Sequence, residues 1–573
     1  MPNFFLDNPD VQFHFKRLDL SEVVALAEDN YAQAREFNYA PVNYEDAMEN
    51  YCKVLEVAGD LAGNYIAPRS ASVDHEGATF NDGTVTYAEG TRKNIQELSQ
   101  ADLMGMILPR KYGGLNFPFT IYMMVTEMLA RADASLMNIF GLQDIGDTIR
   151  KFGNEDQRQE FLPKISTGEH TGAMALTEPD AGSDLQAVKL HAYQDEHGKW
   201  FLRGVKRFIT NGNAQVLLVL ARSEPGTKDG RGLSLFVCHG NGAIKVRRIE
   251  NKLGIHGSPT CELQFNDTPA QLVGTRRFGL IKYVLDLMYR ARMGVSAQAL
   301  GISQAAYEEA LKYARERRQF GKAIYEIPMV SNMLIDMRVM LESNRSLFYN
   351  TAKCVDEKEK LEDLVEKMKA EGKSVAEENI RLKQITKIAN LLTPMTKYIL
   401  TECANKITYD ALQIHGGTGY MREFHVEQLA RDARITNIYE GTSQLQIVAA
   451  SGGVVNDVLG DVFVDKEKKE YRGGLTKLAN HLKEIRELFL ASLKYVVDKK
   501  DNGFQDVAAK DLVEMYSYLH VGYLLLEEAE VEPRKVFIAN RYIVTSLANA
   551  RKNAEAIRSE LFGDLLHAGE ILQ

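Results

Sequence analysis

The sequence predicts a mainly α-helical protein with a central antiparallel β domain and a helical extension behind it. Three observations carry that expectation. From about Leu20 to Lys164 apolar residues recur at helical spacing, with "MENYCKVLEVAGDLAGNYIAP" and "FTIYMMVTEMLARADASLMNIFG" as the longest runs. Between roughly Ser166 and Thr275 the period changes to two. From about Leu280 the helical period returns and runs nearly to the end of the chain.

A chain of 573 residues exceeds the usual size of one core, so several domains are expected. The texture divides it into an N-terminal segment with a helical domain (1–165), a middle β domain (166–280), a helical bundle (281–455) and a helical extension (456–573). In the β domain "TCELQFND" alternates Cys261, Leu263 and Phe265 with Glu262, Gln264 and Asn266, as a half-buried strand does. "WFLRGVKRFITNG", "VLLVLARS", "LSLFVCHG" and "IKVRRIE" read as further strands between Gly, Pro and Asp turns. No long helices alternate with them, which excludes a doubly wound sheet. In the bundle, "LTECANKITYDALQI" puts Leu400, Ala404, Ile407, Ala411 and Ile414 on one face. Gly416-Gly417 supply its left-handed stop, and Gly452-Gly453 are expected to end the next helix. A Lys- and Glu-dense stretch near 353–383 keeps a thin seam of Leu361, Leu364 and Met368 and reads as a solvated helical insertion. In the extension Leu475, Leu478, Leu482, Ile485 and Phe489 form a stripe suited to core or subunit packing.

Composition narrows the function. A formal charge of -9 provides no basic field for a phosphate backbone, so nucleic acid is not an expected partner. The five cysteines lie far apart without a CxxC pair, which argues against a disulfide framework or a zinc site, and no metal is expected. The start "MPNFFLDNPD" has no signal pattern, and no apolar run reaches the roughly 18 residues of a membrane helix. The expectation is a cytoplasmic protein without a transmembrane segment.

Five short stretches could carry chemistry. In "NIYEGTSQLQ", Gly441 can stop one helix while Ser443 with Gln446 forms a capping box for the next, leaving Glu440 incidental. The alternative is a carboxylate projecting into an apolar cavity, where desolvation makes it a better base. "ALTEPDAGSDLQ" reads as a strand leaving into a Pro-Asp-Gly turn, yet Thr177, Gly182 and Ser183 also suit a cofactor's polar edge. "KRFITNG" alone is a strand ending in an Asn-Gly turn. "RERRQFGK" places cations on a helix that ends at Gly321, either a solvated face or an anion clamp. "QIHGGTGYMRE" has three glycines but no strand before them, so it is not a dinucleotide-fold loop.

In order, spacing and helix–sheet–helix setting, these motifs resemble the acyl-CoA dehydrogenase family from about Asn50 to Gly453. The resemblance implies a helical domain, a β-barrel-like domain and a four-helix bundle with FAD between them. Glu440 in "YEGTSQ" sits at the family's catalytic glutamate. The position from which some members take the base matches Ala291, which carries no carboxylate. The likeness further implies FAD contacts from Thr177, Phe208, Thr210, Thr442 and Gln444. Arg317, Phe320, Gln413 and Gly417 would reach the FAD of a neighbouring subunit, which requires a homo-oligomer, a dimer or a tetramer. Ser183, Arg292 and Gly441 would lie near the acyl-CoA. The implied reaction is α,β-dehydrogenation of an acyl-CoA thioester to the trans-2-enoyl-CoA. Glu440 takes the α-proton, flavin N5 the β-hydride, and electron-transferring flavoprotein the electrons.

Two features depart from the common pattern. "KLGIHGSPT" has His256 where the family often carries Arg, and the added segments resemble the longer bacterial branch that includes 3-methylmercaptopropionyl-CoA dehydrogenase. An acyl-CoA oxidase reoxidised by O₂ is the nearest competing reading. A DNA-associated or inactive flavoprotein relative is the other; the C-terminal "NAEAIRSELFGDLLHAGEILQ" is not basic, and an inactive scaffold leaves Glu440 unexplained.

Overall fold

The structure is a computed structural model that describes residues 2–240, 242–559, 563–564 and 567–573. It divides into two compact units. The first comprises Met1–Glu316 with Ala404–Glu440, and the second Arg317–Cys403 with Gly441–Gln573.

The first unit holds the N-terminal helices, the β domain and the long helix Leu285–Glu316. The long apolar run "FTIYMMVTEMLARADASLMNIFG" forms two helices, Phe119–Ala132 and Ala134–Gly141. Asp133 makes the break: its backbone is extended and its carboxylate accepts the N–H groups of Ser135 and Leu136, as an N-cap does. Every residue of Phe119–Ala132 is buried, which explains its lack of a polar face. Helix Leu285–Glu316 approaches it closely at Gly301, where a Cβ would stand 2.5 Å from the Glu127 carbonyl oxygen.

The β domain is a closed ring. Val216–Arg222 pairs with Leu233–His239, which pairs with Thr260–Val273, then Trp200–Thr210, then His191–Gln194. A bridge between His191 and Arg222 closes it. The sheet is not purely antiparallel as expected: Gly172–Ala175 runs parallel to Val216–Arg222, and the closing bridge is also parallel. Both faces of Val216–Arg222 are covered. Leu218 and Leu220 pack with Ile145, Phe161 and Leu235, while Leu217 and Val219 pack with Leu202, Phe236 and Leu263. That is why "VLLVL" is a continuous apolar run rather than an alternating one. The Asn211-Gly212 turn is not a hairpin either, because Trp200–Thr210 pairs with its other neighbours and not with Val216–Arg222.

The second unit is helical. Pro328–Ala370 and the part of Ala376–His415 up to Cys403 are joined by Ser443–Val455, Gly460–Lys468, Gly474–Asp498, Asn502–Val531 and Lys535–Arg558. Helix Ser443–Val455 continues through Gly452-Gly453 instead of stopping there. Gly453 serves packing, since a Cβ would come 2.9 Å from Cβ of Leu391. The extension stripe is core, with Leu478, Leu482, Ile485 and Phe489 buried. The extension is also keyed to helix Pro328–Ala370 by charge: Lys535 Nζ lies 3.0 Å from Glu342 and 3.1 Å from Glu528, all three out of solvent. Buried ions need partners of opposite sign, and this cluster supplies them. Among the described residues no single helix is long and apolar enough to cross a membrane.

Candidate active site

The break at Glu440 is made by two consecutive left-handed residues, Glu440 at φ 54° and Gly441 at φ 92°. Glycine accepts such a conformation freely, whereas glutamate holds it against steric strain of the kind that collects at functional sites. The neighbouring helices end on their own signals. His425–Ala433 is closed by Arg434, so Gly441 is not its cap. Thr442, not Ser443, caps Ser443–Val455, its hydroxyl accepting the Leu445 N–H at 3.4 Å. Ser443 instead donates to Glu402, and Gln446 Nε2 donates to the Gly441 carbonyl at 3.0 Å. The expected capping box is therefore absent: Ser443 is spent on Glu402 and Gln446 on the break.

Within the first unit, Glu440 follows Tyr439, whose hydroxyl meets Gln298 Oε1 and lies 3.1 Å from Asn138 Oδ1. Gln298 in turn donates to Asn138 at 3.1 Å and to the Ala134 carbonyl at 2.8 Å. Burial pushes the Tyr439 phenol well up, and the charge of Glu440 adds to it. Arg292 shares the helix of Gln298. Burial pulls its pKa down, while Tyr289 and Glu440 hold it up. Its Nε is buried without a hydrogen-bond partner. Ala291 beside it contributes no acid or base.

Thr177, Ser183, Phe208 and Thr210 sit on two segments of the β domain that are fastened together. Glu178 and Ala181 exchange backbone hydrogen bonds of 3.1 Å, folding "EPDA" into a tight turn, and the Arg207 N–H donates to the Thr177 carbonyl at 3.0 Å. A register shift between Lys206 and Ile209 makes a bulge in the strand. At that bulge Phe208 takes φ 60° and stands 52% exposed, with the Arg207 guanidinium over its ring. Bulges re-aim side chains, and this one turns an aromatic outward where strand alternation would bury it. Ser183 is exposed and Thr177 and Thr210 half-buried, with open space around Gly182.

Gln413 and Gly417 lie in the first unit near the end of helix Ala376–His415. Gly416 takes the left-handed turn expected of the pair, and Gly417 does not. The loop is held by Thr418, which bonds the His415 carbonyl at 2.6 Å and Tyr313 at 3.0 Å. Both Gln413 and Gly417 face solvent. Arg317 and Phe320 belong to the second unit. The helix before them ends at Glu316, not at Gly321, and Arg318-Gln319 pairs with Lys322-Ala323 in a small hairpin. Phe320 and Gly321 form its tip at φ 52° and 78°, with Phe320 91% exposed. Thr442 and Gln444 open helix Ser443–Val455 in the same unit.

Within the first unit, the hydroxyls of Thr177, Ser183 and Thr210 with the exposed face of Phe208 suit the polar edge and ring of a flat cofactor. Within the second, the exposed Arg317 guanidinium and the N–H groups at the start of Ser443–Val455 suit an anionic group. His256 is engaged inside the first unit. Its Nδ1 lies 2.9 Å from the Asp74 carboxylate and its Nε2 2.9 Å from the Lys252 carbonyl, and the Asp74 bond raises its pKa to about 9. Sequence reasoning missed Lys206, Glu178, Lys397, Gln298 and Asn138, the buried polar residues that hold the candidates. A lysine on the inward side of a strand, in register with Leu202, was the one available signal.

Family descriptions match successive parts of the chain. They are "Acyl-CoA dehydrogenase, N-terminal domain" at residues 49–169, "middle domain" at 173–268, "C-terminal domain" at 281–385 and 373–451, and "Acyl-CoA dehydrogenase C terminal" at 460–562. The 3-methylmercaptopropionyl-CoA dehydrogenase of Ruegeria pomeroyi is 32% identical over 498 residues, covering 80% of each chain. A chain in the structure of the electron transferring flavoprotein of Acidaminococcus fermentans is 31% identical. It covers 70% of this chain and 97% of that one, with a TM-score of 0.60. The acyl-CoA dehydrogenase complexed with FAD from Bacillus anthracis covers 91% of this chain and 90% of that one at a TM-score of 0.75. Its identity of 21% makes that a likeness of fold.

Proposed function

The chain belongs to the acyl-CoA dehydrogenase family, and from that premise we propose that it oxidises an acyl-CoA thioester to the trans-2-enoyl-CoA with Glu440 as base. What supports this role is one observation: Glu440 stands on a strained left-handed break, whereas the alternative position carries Ala291.

The thioester α-proton is too weakly acidic for a carboxylate to remove unaided. Stabilising the enolate oxygen with a fixed donor lowers the barrier by roughly 3–4 kcal/mol per donor. The donor this chain supplies is the backbone N–H of Glu440 itself, and the left-handed turn fixes its direction. Glu440 takes the α-proton as the α,β double bond forms. The buried Arg292, which feels the charge of Glu440, would balance the negative charge that passes to the enolate oxygen. FAD, when bound, accepts the β-hydride. Thr177, Thr210, Thr442 and Gln444 would hold its polar atoms and Phe208 would pack against its ring, while Ser183 and Gly441 would lie near the acyl-CoA. Arg317, Phe320, Gln413 and Gly417 serve the FAD of a second copy, so the working form is a homo-oligomer. Electron-transferring flavoprotein is the proposed acceptor, a reading supported by the likeness to the Acidaminococcus chain.

The test is anaerobic mixing of the yellow holoenzyme with butyryl-CoA, 3-methylmercaptopropionyl-CoA and longer acyl-CoAs while following flavin absorbance. Bleaching by at least one is expected. Glu440→Gln should retain FAD and lose bleaching; full bleaching by that variant would place the base elsewhere. Admitting air and assaying peroxide then separates a dehydrogenase, which reoxidises slowly, from an oxidase.

A further inference from the structure

We infer that Lys397 is a positioning residue for Glu440, acting through the carbonyl of Gly441; the inference rests on the reading of Glu440 as the base. Lys397 lies on helix Ala376–His415 and is wholly out of solvent. Its Nζ donates to the Gly441 oxygen at 2.6 Å, and Gln446 Nε2 donates to the same oxygen at 3.0 Å. A carbonyl has two lone pairs, and here an ammonium takes one and an amide the other.

The need for such a clamp follows from the local backbone. Glu440 and Gly441 are both left-handed, and Gly441 lacks the Cβ that would restrict it to one well. Left alone, that pair would swing, and the Glu440 carboxylate and N–H would swing with it. A glycine nevertheless suits the position, because φ 92° strains other residues and a Cβ, 2.6 Å from Gln446 Nε2, would push aside the amide that holds this carbonyl. Fixing the Gly441 carbonyl fixes the glycine's ψ and so removes the freedom its side chain cannot. A charge-assisted bond suits this task, being roughly twice as strong as a neutral one. Proton transfer is steeply sensitive to sub-ångström misplacement, so a clamp one residue from the base acts on rate rather than on substrate affinity.

The experiment uses flavin-loaded enzyme and butyryl-CoA in deuterated buffer without oxygen, reading deuterium incorporation at the α-carbon per flavin, together with kcat and KM. Wild type should exchange and Glu440→Gln should not. Lys397→Met should exchange about 10–100-fold more slowly, with KM within about threefold, and Lys397→Arg should recover part of the rate. A merely structural lysine would lower Tm or flavin content and leave the rate per flavin unchanged, and that result in Lys397→Met overturns the inference. Should Lys397→Met fail to fold, Gln446→Leu decides. It removes the other donor to the same oxygen, and an unchanged rate per flavin in it is equally fatal. Exchange surviving in Glu440→Gln would instead overturn the reading of the base, and with it the role of Lys397.

Discussion

Lys206 Nζ lies 3.0 Å from Glu178 Oε1, with the lysine side chain 0% and the glutamate 8% exposed. The same ammonium donates to the Leu176 carbonyl at 2.7 Å, and the glutamate accepts the N–H groups of Lys189 and Leu190, each at 2.8 Å. This pair ties the loop of Thr177 and Ser183 to the strand of Phe208 and Thr210. Burial draws the Lys206 pKa down to about 8 against the pull of Glu178. Lys206→Met leaves a buried carboxylate unpaired, so unfolding by urea should show a loss of roughly 3–5 kcal/mol. The ratio of flavin to protein absorbance should fall with it. A loss below about 1 kcal/mol would mean the pair is not what holds the two segments.

The His256–Asp74 pair makes stability depend on pH. The folded-state pKa of His256 is raised to about 9 from 6.5, chiefly by the hydrogen bond to Asp74. Its contribution is therefore complete below about pH 6.5 and is lost as pH rises through about 9. Partial exposure screens the bond, so the drop should be roughly 1–2 kcal/mol. Denaturation midpoints between pH 6 and 9.5 measure it, and His256→Gln should flatten that part of the curve.

The elements that carry their own period or bounded apolar run were legible, and those made only by a partner were not. The five quoted strands declare themselves by alternation or by bounded apolar runs. Gly172–Ala175 is four small or apolar residues with no period, made a strand only by Val216–Arg222. Glu440 was visible because a carboxylate beside Gly441 at a helix break is locally odd. Lys206 and Lys397 were not, because a lysine is by default a surface residue, and their acceptors lie 28 and 44 residues away. The capping box failed for a similar reason. Ser443 and Gln446 had the right spacing, but Glu402 and the Gly441 carbonyl outbid the helix N-terminus for them.

Phe320 is held at φ 52° on an exposed hairpin tip, a position that glycine or asparagine normally fills. Its strain brings the isolated fold no compensating contact, as a residue kept for a second copy would. Phe320→Gly should accordingly leave stability unchanged or raise it by about 1 kcal/mol. Flavin retention on gel filtration should fall at the same time. Lower stability with full flavin retention would show that the ring serves its own hairpin.

Tyr439 and Gln298 offer a control on the base from the first unit. The Tyr439 hydroxyl sits between Gln298 and Asn138, so the residue before Glu440 is fixed by two buried amides. Tyr439→Phe removes one donor and leaves the buried Gln298 oxygen short of a partner, a cost of roughly 1–3 kcal/mol. Flavin bleaching by acyl-CoA should slow, because the backbone entering Glu440 loses its anchor while the carboxylate itself is untouched. Gln298→Leu should slow it further, since it removes the bonds to Ala134 and Asn138 as well as the one to Tyr439. Stopped-flow traces of the two single variants and the double variant measure the coupling. Equal effects in Gln298→Leu with and without Tyr439→Phe would show that the tyrosine acts only through that glutamine.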